Sequence, residues 1–170
     1  EPVVRRDVES SGLSSYIRLY GYTAPEQVRD VMERCHIHLF TSNYLEGWGA
    51  VINEGMNSGC VEVVNAQVGA APYLIRHGVN GLVYPDDNYE KMEELVLELF
   101  ADFPRYRKLG RAAYETIRDI WNAEHAAKEL VRFAERILHG DIAPAQSGPL
   151  SVAEPVRPGK MYRAMIDGVI

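Results

Sequence analysis

Apolar residues are spaced in two alternating ways along this chain. Short apolar runs, Ile37-His38-Leu39-Phe40, Val61 to Val64 and Leu82-Val83-Tyr84, alternate with stretches whose apolar positions recur every three or four residues. The short runs read as strands, the first of them buried, and the longer period reads as helix. One helix begins near Ala24-Pro25-Glu26, with proline in its first turn and Val28, Val31 and Met32 as its apolar stripe. A helix follows the turn at residues 42–49, and a shorter one spans Pro72 to Arg76. Asp87 or Asn88 is placed to cap the helix that carries Met92, Leu95, Val96 and Leu99. Two more helices are expected over about 104–119 and 122–138. Ahead of all these, Glu1 to Ser11 reads as the tail of a helix and Ser15 to Tyr20 as a strand. Strands alternating with helices predict an α/β fold, a parallel sheet with helices on both faces.

The pattern stops at Gly140. Asp141 to Lys160 is rich in Pro, Ala, Ser and Gly, which reads as a linker or strap, and Met161 to Ile170 as a short terminal helix. The chain therefore divides into a domain over 1–139 and a strap and tail over 140–170. A loose tail fits the same composition equally well.

Length and charge narrow the function. The 170 residues suit one domain, and 46% apolar content is enough for a core. A formal net charge of −6 argues against nucleic acid and anionic membranes as general partners, because both select a basic face. No run of eighteen apolar residues is present to span a membrane. There is no G-x-G-x-x-G after a strand, since Ile52 stands three past Gly49, and there is no Walker A sequence or nucleophile elbow. Two cysteines, Cys35 and Cys60, cannot form a disulfide framework. Both adjoin apolar strand starts, so both are expected to be buried thiols. His36 and His38 would share one strand face. Without a fuller ligand set they read as structural, each with one hydrogen bond, and no metal site is expected.

The chemistry concentrates in residues 42–56, Ser-Asn-Tyr-Leu-Glu-Gly-Trp-Gly-Ala-Val-Ile-Asn-Glu-Gly-Met. A strand runs into a glycine-rich turn, and the turn opens a helix. The start of a helix has free N–H groups and a partial positive charge, which suit a phosphate. Glu46 lies in the turn and Glu54 on the helix, with seven residues between them. Positions 47, 50 and 54 fall on one face by helical spacing, and seven helical residues rise roughly 10 Å. Carboxylates only accept hydrogen bonds, so both acids suit hydroxyls flanking a central phosphate. A sugar joined through a diphosphate to a nucleoside has that shape.

These residues resemble the C-terminal, donor-binding domain of family 4 retaining glycosyltransferases, whose fold is GT-B, a pair of Rossmann-like domains. The family pattern is an apolar strand, Pro-Ser, Glu-Gly-Phe-Gly, then Glu-Ala-Met. Here it reads Thr41-Ser42, Glu46-Gly47-Trp48-Gly49 and Glu54-Gly55-Met56. The likeness continues through Ser58-Gly59-Cys60, Gln67-Val68-Gly69, His77-Gly78-Val79-Asn80-Gly81-Leu82-Val83 and Ile120-Trp121-Asn122, over roughly residues 5 to 138. An ordered series in the right context is far more specific than a lone pair of acids.

The resemblance implies a role for each residue. Glu46 contacts the donor sugar hydroxyls and is the catalytic-site acid. Gly47, Trp48 and Gly49 offer backbone amides to sugar and diphosphate, and Ala50 and Val51 lie under the phosphates. Glu54 binds the ribose, and Tyr22, in the loop Tyr20-Gly21-Tyr22, lies near the base. The activity implied is transfer of a hexosyl group with retention, as in polysaccharide biosynthesis, in the cytoplasm and without metal or cofactor. The partners implied are a nucleotide-sugar donor and an N-terminal acceptor-binding domain of the same enzyme, with peripheral membrane contact left open. Bland readings compete: Trp48 serves equally as a packing residue, and Gly47 and Gly49 as turn formers. A non-catalytic nucleotide-sugar-binding module and a nucleotide-sugar epimerase of similar fold are the alternative functions.

Further positions depart from the family pattern. Gly55 stands where Ala is usual, and mid-helix glycine costs about 1 kcal/mol relative to Ala, so close packing is expected there. Tyr73 replaces a common Glu, and Glu62 a common Pro. The family's opening strand, glycine turn and following Arg and Lys have no counterpart. The expectation is that the first strands lie upstream of Glu1, with the chain cut within the donor domain. Arg5 and Arg6 match no family cation.

Overall fold

The computed structural model describes residues 2–85, 88–153, 155 and 156. Asp87 and the helix expected over 161–170 lie outside the described residues. The chain divides into two compact units, Glu1–Val31 and Met32–Ile170.

The first unit contains α1 (Pro2–Ser10), and α2 (Pro25–Met32) begins in it. Pro25 opens α2 as expected. The strand expected over Ser15 to Tyr20 does not form. The Tyr16 and Ile17 amides both donate to the Leu13 carbonyl, which makes a turn, and residues 17–20 are exposed or half-buried without ladder bonds. A strand exists through its neighbour's hydrogen bonds, and no neighbour pairs with this segment among the described residues.

The second unit is built on a parallel sheet of β1 (Ile37–Phe40), β2 (Val61–Asn65) and β3 (Leu82–Tyr84), in that order. Ile37 aligns with Val61 and Phe40 with Val64, while Val63 aligns with Leu82. The sheet is flanked by α3 (Ala50–Asn57), α4 (Ala71–Leu74), α5 (Tyr89–Ala101) and α6 (Phe103–Asp119), and α7 (Ala123–Leu138) follows them. Every residue of the central strand β2 is buried, and alternate residues feed two cores. Val61 and Val63 pack with Leu95, Leu99 and Leu109. Val64 packs on the other face with Ile52, Met56, Ala113 and Ile117. Each fully buried aliphatic side chain contributes about 1.5–3 kcal/mol. The expected α/β architecture with helices on both faces is the one observed.

β1 differs from its expectation. It is half-buried, with Leu39 exposed, because it is the sheet's edge strand among the described residues. The short helix also begins and ends earlier than Pro72 to Arg76, at Ala71–Leu74. Its next residue, Ile75, is extended, and the Arg76 amide donates to Asn80 Oδ1 instead of continuing the helix.

Side chains cap the later helices as their composition foretells. Asn88, Asp102 and Asn122 accept from the amides of Lys91, Arg105 and His125. α3 ends on Gly59 in the left-handed region at φ 79°, with Cys60 N–H donating to the Gly55 carbonyl and Gly59 N–H to that of Met56. α7 is strongly amphipathic, yet none of its residues is buried. Of the strap expected beyond Gly140, a tight loop is described, pinned by a bridge between Ala145 and Ser151.

The cysteines separate. Cys60 is buried, its thiol donating to the Met32 carbonyl at 3.2 Å and pushed up to about 11 chiefly by burial. Cys35, expected to be buried, is exposed, because it lies in the turn after α2, before β1 begins. The histidines separate too. His36 precedes the strand, so the two-residue period does not reach it, and its ring meets Tyr106 at 5.4 Å. His38 Nδ1 lies 2.8 Å from a carboxylate oxygen of the buried Glu62, an acid partner that the sequence pattern did not reveal.

Candidate functional site

The turn from β1 and the start of α3 carry six of the expected residues, Glu46 to Val51. Gly49 is the N-cap of α3 and adopts the left-handed conformation, φ 85° and ψ 57°. That geometry suits glycine, and there is also no room for a side chain. A Cβ at Gly49 would lie 2.9 Å from Val68, 3.1 Å from Phe40 and 3.4 Å from the Glu46 side chain. Glycine carries no oxygen to fold back on the helix, so no side chain caps α3. Here α3 differs from α5, α6 and α7, whose first amides are satisfied by Asn or Asp. The amides of Ala50 and Val51 open the helix, and the positive end of its dipole lies beside them.

Glu46 is half-buried, with its stem against Gly49. Glu54 is exposed, as is Ala50, four residues before it on the same face, while Ile52, Gly55 and Met56 face the core. Ala50 to Glu54 rises roughly 6 Å along the axis. Gly47 precedes the helix, so the expected face at 47, 50 and 54 is helical only from Ala50 onward. Tyr22 belongs to the first unit, where it is fully exposed.

The turn is held by the loop after β2. The Ala70 amide donates to the Trp48 carbonyl at 2.8 Å, and Gly69 abuts the Gly47 carbonyl so closely that a Cβ there would coincide with it. Trp48 is positioned by its side chain as well. Its indole N–H donates to Asn53 Oδ1 at 2.9 Å, and its ring lies 5.6 Å from Tyr73 and 5.9 Å from Trp121. Trp48 is thus a packing residue whose backbone belongs to the turn. The sequence reading missed Asn53, Tyr73 and Trp121 as supports. The signal available was that Tyr73 and Trp121 are bulky aromatics at motif positions.

Beneath α3 lies the second ionisable feature. Glu62 is fully buried on the same face of β2 as Val64. One carboxylate oxygen meets His38, and the other, Oε1, has no hydrogen-bond partner among the described residues. Burial drives the Glu62 carboxyl up to about 7, against the lowering effect of His38. Oε1 occupies the space that a side chain at Gly55 would fill, and a Cβ there would also be 2.9 Å from His38 Nδ1. That is the close packing expected at Gly55. Among the described residues no group of three or more His, Cys, Asp or Glu is placed to hold a metal ion. Nor is any described helix long and apolar enough to cross a membrane.

Known proteins resemble this chain in both sequence and fold. A poly(glycerol-phosphate) alpha-glucosyltransferase of Bacillus subtilis (strain 168) is 25% identical over 112 residues, 66% of this chain. The chain spans 16% of that relative's length. The C-terminal domain of a glycosyl transferase group 1 family protein (LpcC) from Francisella tularensis superposes with a TM-score of 0.62 at 21% identity, covering 69% of this chain and 60% of that one. HepE of Anabaena, solved in complex with UDP, superposes at 0.65 with 20% identity over 81% of this chain and 36% of its own. These superpositions establish the shared fold. The family described as glycosyl transferases group 1 matches residues 3–116, more than half of the sequence, and the chain belongs to that family.

Proposed function

We propose that this chain is the donor-binding domain of a retaining glycosyltransferase that moves a hexosyl group from a nucleotide-sugar to an acceptor in polysaccharide biosynthesis. One observation carries the reading: the first amides of α3 are left without a side-chain cap at Gly49, with the stem of Glu46 packed beside that glycine. The diphosphate rests on the amides of Gly49, Ala50 and Val51, where the helix dipole stabilises charge developing on the leaving group. Glu46 accepts hydrogen bonds from the sugar hydroxyls, and Gly47 and Trp48 lend their amides. Glu54 accepts from the ribose. Two acceptor-only groups flanking an anion site orient the donor for attack on the retained face.

The relative from Bacillus subtilis is named as a glucosyltransferase, and HepE was solved with UDP. Both support a nucleotide-sugar donor here. The acceptor-binding domain of the same enzyme and the cations that hold the diphosphate are proposed to lie outside this chain. The reaction as proposed uses no metal or cofactor. A cytoplasmic location accords with free Cys35 and Cys60.

Calorimetric titration of the chain with UDP-, GDP- and ADP-sugars tests the reading. One of them binds, and Glu54→Ala weakens it by about 1.5–3 kcal/mol, as for a hydrogen bond to a charged group. In the intact enzyme Glu46→Ala lowers turnover more than donor affinity. Donor affinity that Glu54→Ala leaves unchanged, or a fully active Glu46→Ala enzyme, overturns the assignment.

A further inference from the structure

A carboxylate with one unpartnered oxygen lies under the helix that the donor turn opens. Glu62 is fully buried on β2. Its Oε2 is 2.8 Å from His38 Nδ1, while Oε1 has no hydrogen-bond partner among the described residues. Oε1 occupies the space beside Gly55 on the underside of α3. The helix offers it nothing in return. Interior helix amides are donated along the helix itself, and the Gly55 carbonyl accepts from the Ser58 and Cys60 amides. A buried carboxylate with a single hydrogen bond is far costlier than a neutral carboxyl in the same place.

The contacts of this pair reach both ends of α3. Glu62 Oε1 and His38 Nδ1 bound the space next to Gly55. The His38 ring also lies 5.8 Å from the Phe40 ring, and a Cβ at the N-cap Gly49 would meet Phe40 at 3.1 Å. The pair therefore underlies the helix and, through Phe40, its mouth.

The ionisable surroundings are sparse. β1 presents His38, and β2 itself presents the Cys60 thiol two residues before Glu62 on the same face. α3 turns Ile52, Gly55 and Met56 to the core and leaves its one acid, Glu54, exposed. α6 contributes Ala113 and Ile117, and its Arg111 and Glu115 pair with each other at 3.1 Å. β3 contributes Val83. Among these, His38 alone opposes the effect of burial on Glu62. The His38 side chain is 19% exposed and that of Glu62 is not exposed at all, so protons reach the acid through the histidine.

We infer that the His38–Glu62 pair is a proton-controlled brace for α3. With Glu62 protonated the pair is uncharged and α3 sits on it. When that proton leaves to solvent through His38, the buried charge draws water under Gly55 and α3 lifts. Burial holds the Glu62 carboxyl up to about 7, which puts the transition at neutral pH. As control of donor affinity the brace rests on the donor reading above; as control of α3 it does not.

Hydrogen exchange of amides 52–56, expressed as protection relative to an unstructured chain, tests the brace between pH 6 and 8. Protection falls at least tenfold with a midpoint near 7. Glu62→Gln keeps the shape without the titrating proton, and its protection stays level. The affinity for a nucleotide-sugar, whose diphosphate diester does not titrate in this range, falls about tenfold over the same two pH units. Glu62→Gln removes that fall as well. Level protection in the wild-type chain, or a step that persists in Glu62→Gln, overturns the brace. A step in protection that donor affinity does not follow overturns its control of the donor. A step with no nucleotide-sugar bound at any pH supports the brace and refutes the donor reading instead.

Discussion

Substituting Gly55 by alanine tests whether Glu62 and α3 are packed as one unit. On an ordinary helix the change gains about 1 kcal/mol, because glycine is a poor helix former. Here the new methyl would take the place of Glu62 Oε1 and press on His38 Nδ1 at 2.9 Å. Either α3 lifts from the sheet, an overpacking cost of about 1–3 kcal/mol, or the carboxyl swings away from His38. The latter forfeits a charge-assisted hydrogen bond valued at about 1.5–3 kcal/mol. After the propensity gain is credited, Gly55→Ala costs about 1 kcal/mol. In a Glu62→Ala background the obstacle is gone and the methyl fills vacated space, so the same substitution gains about 1 kcal/mol. The coupling between the two sites is then about 2 kcal/mol, within the range for residues in direct contact.

Urea unfolding of the four proteins, followed by far-ultraviolet circular dichroism, measures that coupling. A sign reversal of the Gly55→Ala effect between backgrounds is the expected result. Equal effects in the two backgrounds, within about 0.5 kcal/mol, would refute the packing argument.

Further predictions follow from the same contacts. Because the folded chain holds the Glu62 proton more tightly than the unfolded chain does, this group favours folding fully below pH 4.5. That contribution is lost as the pH rises to about 7, by about 3 kcal/mol in all. Glu62→Gln removes this fall, so parallel stability–pH curves for the two proteins between pH 4.5 and 7 would contradict the origin given for it. Gly69→Ala sets a methyl against the Gly47 carbonyl, a backbone atom with no room to yield, and displaces the turn. It costs about 1–3 kcal/mol in unfolding free energy and most of the donor affinity, and wild-type calorimetry from this variant would count against the turn's role. Iodoacetamide alkylates exposed Cys35 in the folded chain and spares Cys60, whose thiol is buried and held protonated; equal labelling of both would be inconsistent with the fold.

The strands, most of the helices and the position of the turn were legible in the sequence because they depend on local spacing. β2 and α3 follow from two- and four-residue periods that one stretch of chain carries by itself. Ser15 to Tyr20 was misread for the complementary reason. Its residues suit a strand, yet a strand is completed by another segment's hydrogen bonds, and spacing does not register whether that segment is there. β1 was read as buried on the same incomplete information. Cys35 and His36 were misplaced because the strand begins at Ile37, one residue after the point to which the pattern was extended.

What local spacing could not show is which departures from the family pattern belong together. The pattern has Phe, Ala, Pro and Glu at the positions of Trp48, Gly55, Glu62 and Tyr73, and along the chain these read as four unrelated differences. In space they form two pairs. Trp48 faces Tyr73 at 5.6 Å, and Glu62 fills the space left by the missing side chain of Gly55. Each pair joins α3 or its entry turn to a neighbouring segment, one around β2 and the other around α4. The consequence is directional. A glycine at 55 without the buried acid would leave a void under the helix, and the acid without the glycine would not fit. Restoring Ala at 55 or Glu at 73 singly should therefore cost more than restoring both members of a pair, since each surviving partner is shaped to what was removed.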